Sequence, residues 1–250
     1  MADVALIHAG IADSRMWTPQ LESFGRAHRV IAPDLPGFGK TPYTTDVVDF
    51  RAAVRDGLDD AGMNRAALVG TSLGGLVSLG VALESPERVS ALVLVGSGID
   101  GGHEWSREME RWDAEEEAAL DRGDFDTAAL AMLRAWVAGP RRSLDAVDPA
   151  IRELVAEMQR NAYELQHGHD VRGNRLDPPA WQRLGDIRVP TLVLTGDEDQ
   201  SDIHQIADKL ANEIPGAERA TIADAAHLPN LERPEEFDRI VLGFLEQHGV

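Results

Sequence analysis

Hydrophobic residues fall along this chain in two alternating rhythms. Short runs that are apolar at nearly every position occupy residues 4–8 (VALIH), 29–33 (RVIAP), 66–71 (AALVGT), 91–96 (ALVLVG) and 190–196 (PTLVLTG), with a weaker one at 219–222 (RATI). Runs of this length and composition read as strands covered on both faces. Between them the apolar residues recur every three to four positions. Residues 14–24 carry Met16, Trp17, Leu21 and Phe24, and residues 46–62 carry Val47, Phe50, Val54, Leu58 and Ala61 before Gly62, a natural helix stop. Residues 73–83 form an apolar, small-residue run of helical length, and two more helices are expected at 203–214 and 234–248. Strand and helix in strict alternation predict an α/β fold, doubly wound, with a mainly parallel sheet between two layers of helices.

The alternation stops between residues 100 and 182. That stretch is charged, helical in period and without a convincing strand, yet it holds Trp105, Trp112, Trp136 and Trp181 and the run AALAMLRAWV at 128–137. Four tryptophans are too many for a solvated linker. The expected organisation is therefore a core of residues 1–99 and 183–250, with a helical lid of three or four helices inserted at 100–182. Its tryptophans are expected to line a dry pocket.

Composition narrows the function classes. The net charge of -19, from 24 basic and 43 acidic residues, argues against nucleic acid and anionic membranes as partners. No apolar run approaches the ~20 residues of a membrane span. The first ten residues, MADVALIHAG, lack the basic leader and cleavage site of a signal peptide. With no cysteine there is no disulfide, thiol nucleophile or thiolate metal site, which fits a reducing cytoplasm.

Candidate chemistry centres on Ser72, at the junction of the strand 66–71 and the helix 73–83. Gly70, Thr71, Ser72, Leu73 and Gly74 form a G-x-S-x-G pattern. A strand that bends sharply into a helix crowds the residues two before and two after the bend, so both must be small. The bend strains the serine and lifts its hydroxyl clear of the sheet, and the free N–H groups of the new helix, Leu73 included, suit a developing oxyanion. A serine hydroxyl needs a base within reach, and the base needs a partner that fixes its tautomer. His227 lies just after the last strand in DAAHLPNLERPEEF, and Asp199 just after the strand 190–196 in GDEDQSD. Spacing alone leaves Asp197, Glu198 and Asp202 open as alternative acids. His204 and His248 fall in expected helices and read as surface histidines.

Taken together, GTSLGG, TGDEDQSD, AAHLPNLERPEEF, HAG at 8–10 and DLPGFGKTP at 34–42 resemble the α/β-hydrolase superfamily over nearly the whole chain outside 100–182. The resemblance implies Ser72 as nucleophile, Asp199 (by its G-x-x-D spacing) as acid and His227 as base. It implies an oxyanion hole from the N–H groups of Leu73 and Gly10, and gives His8 a structural part. Asp34 is expected to fix its glycine-rich turn. Three departures matter. Ala9 stands where the family usually has glycine, which is mild if its φ is negative. Gly10 replaces an often larger residue, leaving the donor freer and the pocket wider. Most members also place a strand pair before the first strand read here, and its absence predicts a sheet of about six strands.

The function implied is hydrolysis of a small, apolar carboxylic ester or lactone through an acyl-enzyme, with a small-molecule substrate, no cofactor and no metal. His167, His169 and Asp170 form an H-x-H-D cluster that reads as a polar loop rather than a metal site. The rival readings are a carbon–carbon bond hydrolase or a cofactor-free perhydrolase or lyase on the same residues, and, further off, a non-catalytic ligand-binding member.

Overall fold

Every strand expected from the apolar runs forms, and all six lie parallel in one sheet. A computed structural model describes residues 2–169, 172–173 and 175–250, residue 172 by its backbone alone. The first half runs β1 (Asp3–Ile7), α1 (Thr18–Phe24), β2 (Arg29–Ile31), β3 (Val47–Val48), α2 (Phe50–Asp60), β4 (Ala66–Thr71), α3 (Leu73–Glu84) and β5 (Val89–Val95). A helical segment follows, with α4 (Arg107–Leu120), α5 (Phe125–Met132), a π-helical turn (Leu133–Ala138), α6 (Pro149–Gln166) and the two-residue strand β6 (Arg172–Gly173). The chain then returns through β7 (Thr191–Gly196), α7 (Ser201–Glu213), β8 (Glu218–Ile222), α8 (Pro229–Glu232) and α9 (Pro234–Gln247).

The main sheet has the order β2-β1-β4-β5-β7-β8. Successive strand residues point to opposite faces, and both faces are covered. Val4 and Leu6 join Trp17, Phe24, Phe237 and Val241 on the side of α1 and α9. Ala5 and Ile7 join Val54, Leu58, Val77, Ile203 and Leu210 on the side of α2, α3 and α7. α3 has no polar face because it is buried nearly all round, from Gly74 through Leu83.

Three local expectations are corrected. The helix expected at 46–62 starts at Phe50, because the Asp49 carboxylate accepts the N–H groups of Arg51 and Ala52 and so caps it there. Val47 and Val48 instead pair in parallel with residues 172 and 173, a strand in a stretch where none was expected. A two-residue pairing leaves no period to read. The helix expected at 14–24 is divided as well, into a 3-10 turn (Ser14–Trp17) capped by Asp13 and then α1.

The topology fixes where chemistry can gather. β2 and β4 flank β1 on opposite sides, so the order reverses there and a crevice opens at the carboxyl ends of the strands. The register keeps those ends level: Ile7 sits beside Gly70, Thr71 beside Val95, Val95 beside Leu194 and Gly196 beside Ile222. Among the described residues no helix is long and apolar enough to cross a membrane.

His8 ties two of the crevice loops together from below. Its ring is fully buried; Nε2 accepts the Leu35 N–H at 3.0 Å and Nδ1 donates to the Ala9 carbonyl at 2.8 Å. Burial holds its pKa below the ordinary histidine value, against the pull of Asp34 and Asp13. The folded state therefore resists a proton that the unfolded chain accepts near pH ~6.5, so this stability is full above that pH and is lost as pH falls. Replacing the ring by His8→Asn should cost about 1–3 kcal/mol at about pH 8, because the Leu35 N–H is left buried. The gap to wild type in urea-unfolding free energy should narrow towards about pH 5.5. A gap that does not change with pH would show that His8 is not held neutral.

Candidate active site

Ser72 sits at φ 55 and ψ -112, and only it and Asp224 among the described non-glycine residues have positive φ. Such a conformation persists only where its surroundings impose it. Here the glycines do so: a Cβ on Gly70 would run into the backbone of Gly74 and Gly75, and one on Gly74 into the carbonyls of Ile7 and His8. The turn is closed further by the Ser72 N–H, which donates to the Val95 carbonyl at 2.9 Å, and by the Ser72 carbonyl, which accepts from Gly98 at 3.2 Å.

This close approach of α3 to β1 brings Leu73 beside the loop after β1. A Cβ on Gly10 would lie 3.7 Å from the Leu73 Cβ. The N–H groups of Gly10 and Leu73 donate to no other group among the described residues. Ala9 has no positive φ, so its substitution for glycine is accommodated. It is also tied on both sides, its N–H to Met16 Sδ at 3.4 Å and its carbonyl to His8. Gly10 therefore follows an anchored residue rather than a free loop.

Asp199 and His227, 28 residues apart, meet at the ends of β7 and β8. His227 Nδ1 lies 3.0 Å from both carboxylate oxygens, and both side chains are 1% exposed. Asp199 Oδ1 also accepts the Gln200 N–H at 2.8 Å. Donation through Nδ1 leaves Nε2 as the lone-pair nitrogen, and Nε2 is buried with no hydrogen-bond partner. Ser72 reaches the same place through β5: it bonds Val95, and the next residue, Gly96, abuts the His227–Asp199 pair. No hydrogen bond joins the Ser72 hydroxyl to His227, a looseness common before substrate binds.

The other acids lie in different roles. Asp202 accepts the Ser106 N–H at 2.8 Å, the Ser106 hydroxyl at 2.7 Å and His103 Nε2 at 3.1 Å. Burial opposes its charge, but these donors outweigh that and hold its pKa low. It anchors the start of α4. The Asp197 carboxylate takes a long bond from the Ala225 N–H, 3.4 Å, and Glu198 pairs with Arg141 at 3.0 Å. Asp34 accepts the N–H groups of Ser14 and Lys40 at 2.8 and 2.9 Å, the turn-fixing part expected of it. His248 pairs with Glu218 on the surface.

The helical insert contributes more to this site than its sequence indicates. Trp136, in the π-helical turn, stacks on His227 with ring centroids 4.4 Å apart, and its carbonyl accepts the His227 N–H at 3.3 Å. The same segment is tied to both flanking loops. Gln200 donates to the Ala135 carbonyl at 2.5 Å, and Arg142 pairs at 2.8 Å with Glu232, which itself accepts the Ala226 N–H. Gly139, at φ 76, ends the turn where a Cβ would meet the Glu198 carbonyl. In sequence only the apolar run 128–137, with Trp136 in it, pointed here.

The four tryptophans do not share one pocket, which corrects the expectation from their number. Trp136 covers His227 and Trp105 lines a cavity beside Leu73. Trp112 packs against the core edge under Arg111, and Trp181 lies under Lys209. Two cavities flank the Gly10–Leu73 pair. One, about 360 Å³, has an apolar wall of Leu73, Leu76, Val77, Ile99 and Trp105, with Arg51, Asp100, His103 and Arg175 also in its lining. The other, about 450 Å³, is walled by Gly10, Leu120 and Phe125 and by the polar Glu116, Gln159, Tyr163, Gln166, His167 and His169. His167 lies edge-on to Phe125 and His169 to Tyr43, while Asp170 lies outside the described residues.

Residues 4–234 match the family described as the alpha/beta hydrolase fold, and the chain belongs to it. Over 98% of its length it is 27% identical to 2-hydroxy-6-oxononadienedioate/2-hydroxy-6-oxononatrienedioate hydrolase of Burkholderia vietnamiensis, covering 87% of that protein. It is 28% identical to carboxylesterase YbfK of Bacillus subtilis, over 96% of this chain and 79% of that one. The whole chain superposes on 91% of a thermophilic esterase from Thermogutta terrifontis with a TM-score of 0.80 at 24% identity. The protein is thus an α/β-hydrolase, a hydrolytic enzyme.

Gly96 was not singled out in sequence, yet its φ is 47 and a Cβ there would stand 3.0 Å from His227 Nδ1 and 3.1 Å from Asp199 Oδ2. Gly96→Ala should cost about 1–2 kcal/mol of stability for the left-handed backbone. It should also shift or abolish the downfield proton resonance of the bonded imidazole. An unchanged resonance together with unchanged stability would refute the spacing role.

Proposed function

We propose that the protein hydrolyses a small carboxylic ester or lactone through an acyl-enzyme on Ser72. The observation that carries this reading is the buried Asp199–His227 pair with Nε2 left unpartnered, on the sheet edge where Ser72 is held in a strained turn. Ser72 Oγ attacks the substrate carbonyl while His227 Nε2 takes its proton. Asp199 keeps the proton on Nδ1 and stabilises the imidazolium. The free N–H groups of Leu73 and Gly10 receive the developing oxyanion. The C–O bond to the alcohol then breaks, and the alcohol leaves with the proton from Nε2. Water, deprotonated by His227, adds to the acyl carbon, and the acid departs as Ser72 regains its proton. The helices over the crevice act as a lid. Its Trp136 shields His227 from water, and the apolar wall of Leu73, Leu76, Val77, Ile99 and Trp105 supports an apolar portion of the substrate.

A second reading is carbon–carbon bond hydrolysis by the same residues, favoured by the relative named for a hydroxy-oxo-dienedioate. Such a substrate carries two carboxylates. The cavity beside Gly10 has no arginine or lysine among the described residues, whereas the cavity beside Leu73 has Arg175 and Arg51, the latter paired with Glu84.

Ser72→Ala should fold normally, lose labelling by a fluorophosphonate probe and lower ester turnover by about three orders of magnitude or more. Retention of more than about a tenth of the rate would remove Ser72 from the mechanism. With aryl esters as substrates, Asp199→Asn should lower kcat by about 10⁴ through the wrong imidazole tautomer. Asp202→Asn should chiefly lower the melting temperature, because it loosens Ser106 and the start of α4. The reverse ranking would place the acid at Asp202.

A further inference from the structure

A helix leaves its last four carbonyls without partners of its own. In the segment that ends at Ala138 these belong to Ala135, Trp136, Val137 and Ala138, and each meets a donor from outside the helix. Gln200 Nε2 donates to the first at 2.5 Å, and the His227 N–H donates to the second at 3.3 Å. Arg142 donates to the other two, Nη2 to Val137 at 3.0 Å and Nε to Ala138 at 2.9 Å. The carbonyl end of the insert is thereby docked on the residue after Asp199 and on the backbone of His227 itself.

Arg142 does more than close the helix. Its Nη2 pairs with Glu232 Oε2 at 2.8 Å, and Glu232 Oε1 accepts the Ala226 N–H at 2.8 Å. Its Nη1 donates at 3.4 Å to the carbonyl of Asp224, which sits at φ 55. The two side chains are 19% and 7% exposed, so this is not one of the solvent-screened pairs that contribute little. One guanidinium thus spans two carbonyls of the insert and two anchors of the loop that carries His227. A planar fork with five donors suits that span; an ammonium, a single point with three donors, does not.

The base needs such a hold. His227 must keep Nδ1 on Asp199 while it offers Nε2 to the nucleophile. Its Nδ1 stands 3.0 Å from both carboxylate oxygens, and a contact divided equally between two oxygens leaves the tilt of the ring to its backbone and to the face of Trp136. Both of those are held from the insert. We propose that Arg142 is a positioning residue for His227: by docking the helix end on the loop after β8 it sets where the imidazole stands. Gln200 acts in the same way beside Asp199. The base is therefore completed by the insert and not by the core alone. The effect on turnover rests on the serine-hydrolase reading, but the placement of the ring is a property of the folded chain and is read without substrate.

The experiment compares wild type with Arg142→Met, Arg142→Lys and Gln200→Leu, each well below its own melting temperature. Arg142→Met should lower kcat for aryl acetates by about tenfold to a hundredfold with KM nearly unchanged, the order expected for a misplacement of about 1 Å. Its downfield Nδ1 proton resonance should shift or broaden. Arg142→Lys keeps a charge for Glu232 but not the span, so it should recover melting temperature more than kcat. Gln200→Leu should lower kcat from the other end of the dock, and it serves if Arg142→Met does not fold. A lower melting temperature with kcat and the resonance both unchanged would make Arg142 a merely structural residue and overturn the proposal. Wild-type kcat in Arg142→Lys would overturn it too, because the ion pair alone would then suffice. Wild type with neither ester turnover nor fluorophosphonate labelling would overturn the hydrolase reading instead, and the resonance would still decide the placement of His227.

Discussion

One close approach governs this molecule: the backbone of α3 lies against the carboxyl end of β1, with no side chain between them. Gly74 meets the carbonyls of Ile7 and His8, and Gly70 meets the backbone of Gly74 and Gly75. Any Cβ at these two positions would push helix and strand apart. Ser72 would then lose the constraint that holds it at positive φ, and Leu73 would withdraw from Gly10. The parallel register carries the effect across the sheet, because the ends of β4, β5, β7 and β8 are level with one another. Ser72, Asp199 and His227, distant in sequence, thus share one edge because the strands are in register, and Ser72 is held at that edge because the helix after it is pressed close.

The second layer of organisation comes from the helical insert. Its π-helical turn lies over His227, and its end is bonded to the loops that carry Asp199 and His227. The imidazole is consequently held from three sides: the Asp199 carboxylate at Nδ1, the Trp136 ring against its face and Gly96 beneath the pair. π-helical turns are uncommon and recur at functional sites. This one carries the aromatic ring that closes the histidine off from water. At its other end the insert is fixed through Asp202, which holds Ser106 and His103.

Much of this was legible in the chain, and for identifiable reasons. Buried parallel strands must be apolar throughout, so β1, β4, β5 and β7 announce themselves, and the G-x-S-x-G turn has only one backbone solution. The Asp199–His227 pairing followed from chain order and from resemblance, while spacing alone left Asp202 open until its bonds to Ser106 were seen. What escaped was whatever depends on a contact between distant segments. β3 and β6 are too short to have a period. Trp136 looks like any of four tryptophans until the fold places it on His227. Gly96 is one glycine after a strand among many. Tyr163 sits on an ordinary helix face, and its bond to Glu116 exists only because Glu116 arrives from another helix.

The bonds between residues 133–142 and the loops of the core bear on how such proteins diversify. Exchange of a cap between relatives is usually imagined at the two points where it leaves the sheet. Here those points are the wrong seams. A foreign cap joined there would arrive without Trp136, Arg141 and Arg142, and would strip the cover and the ion pairs from two core loops. The bonded seam lies after Met132, where the segment that follows is tied to the loops of the core.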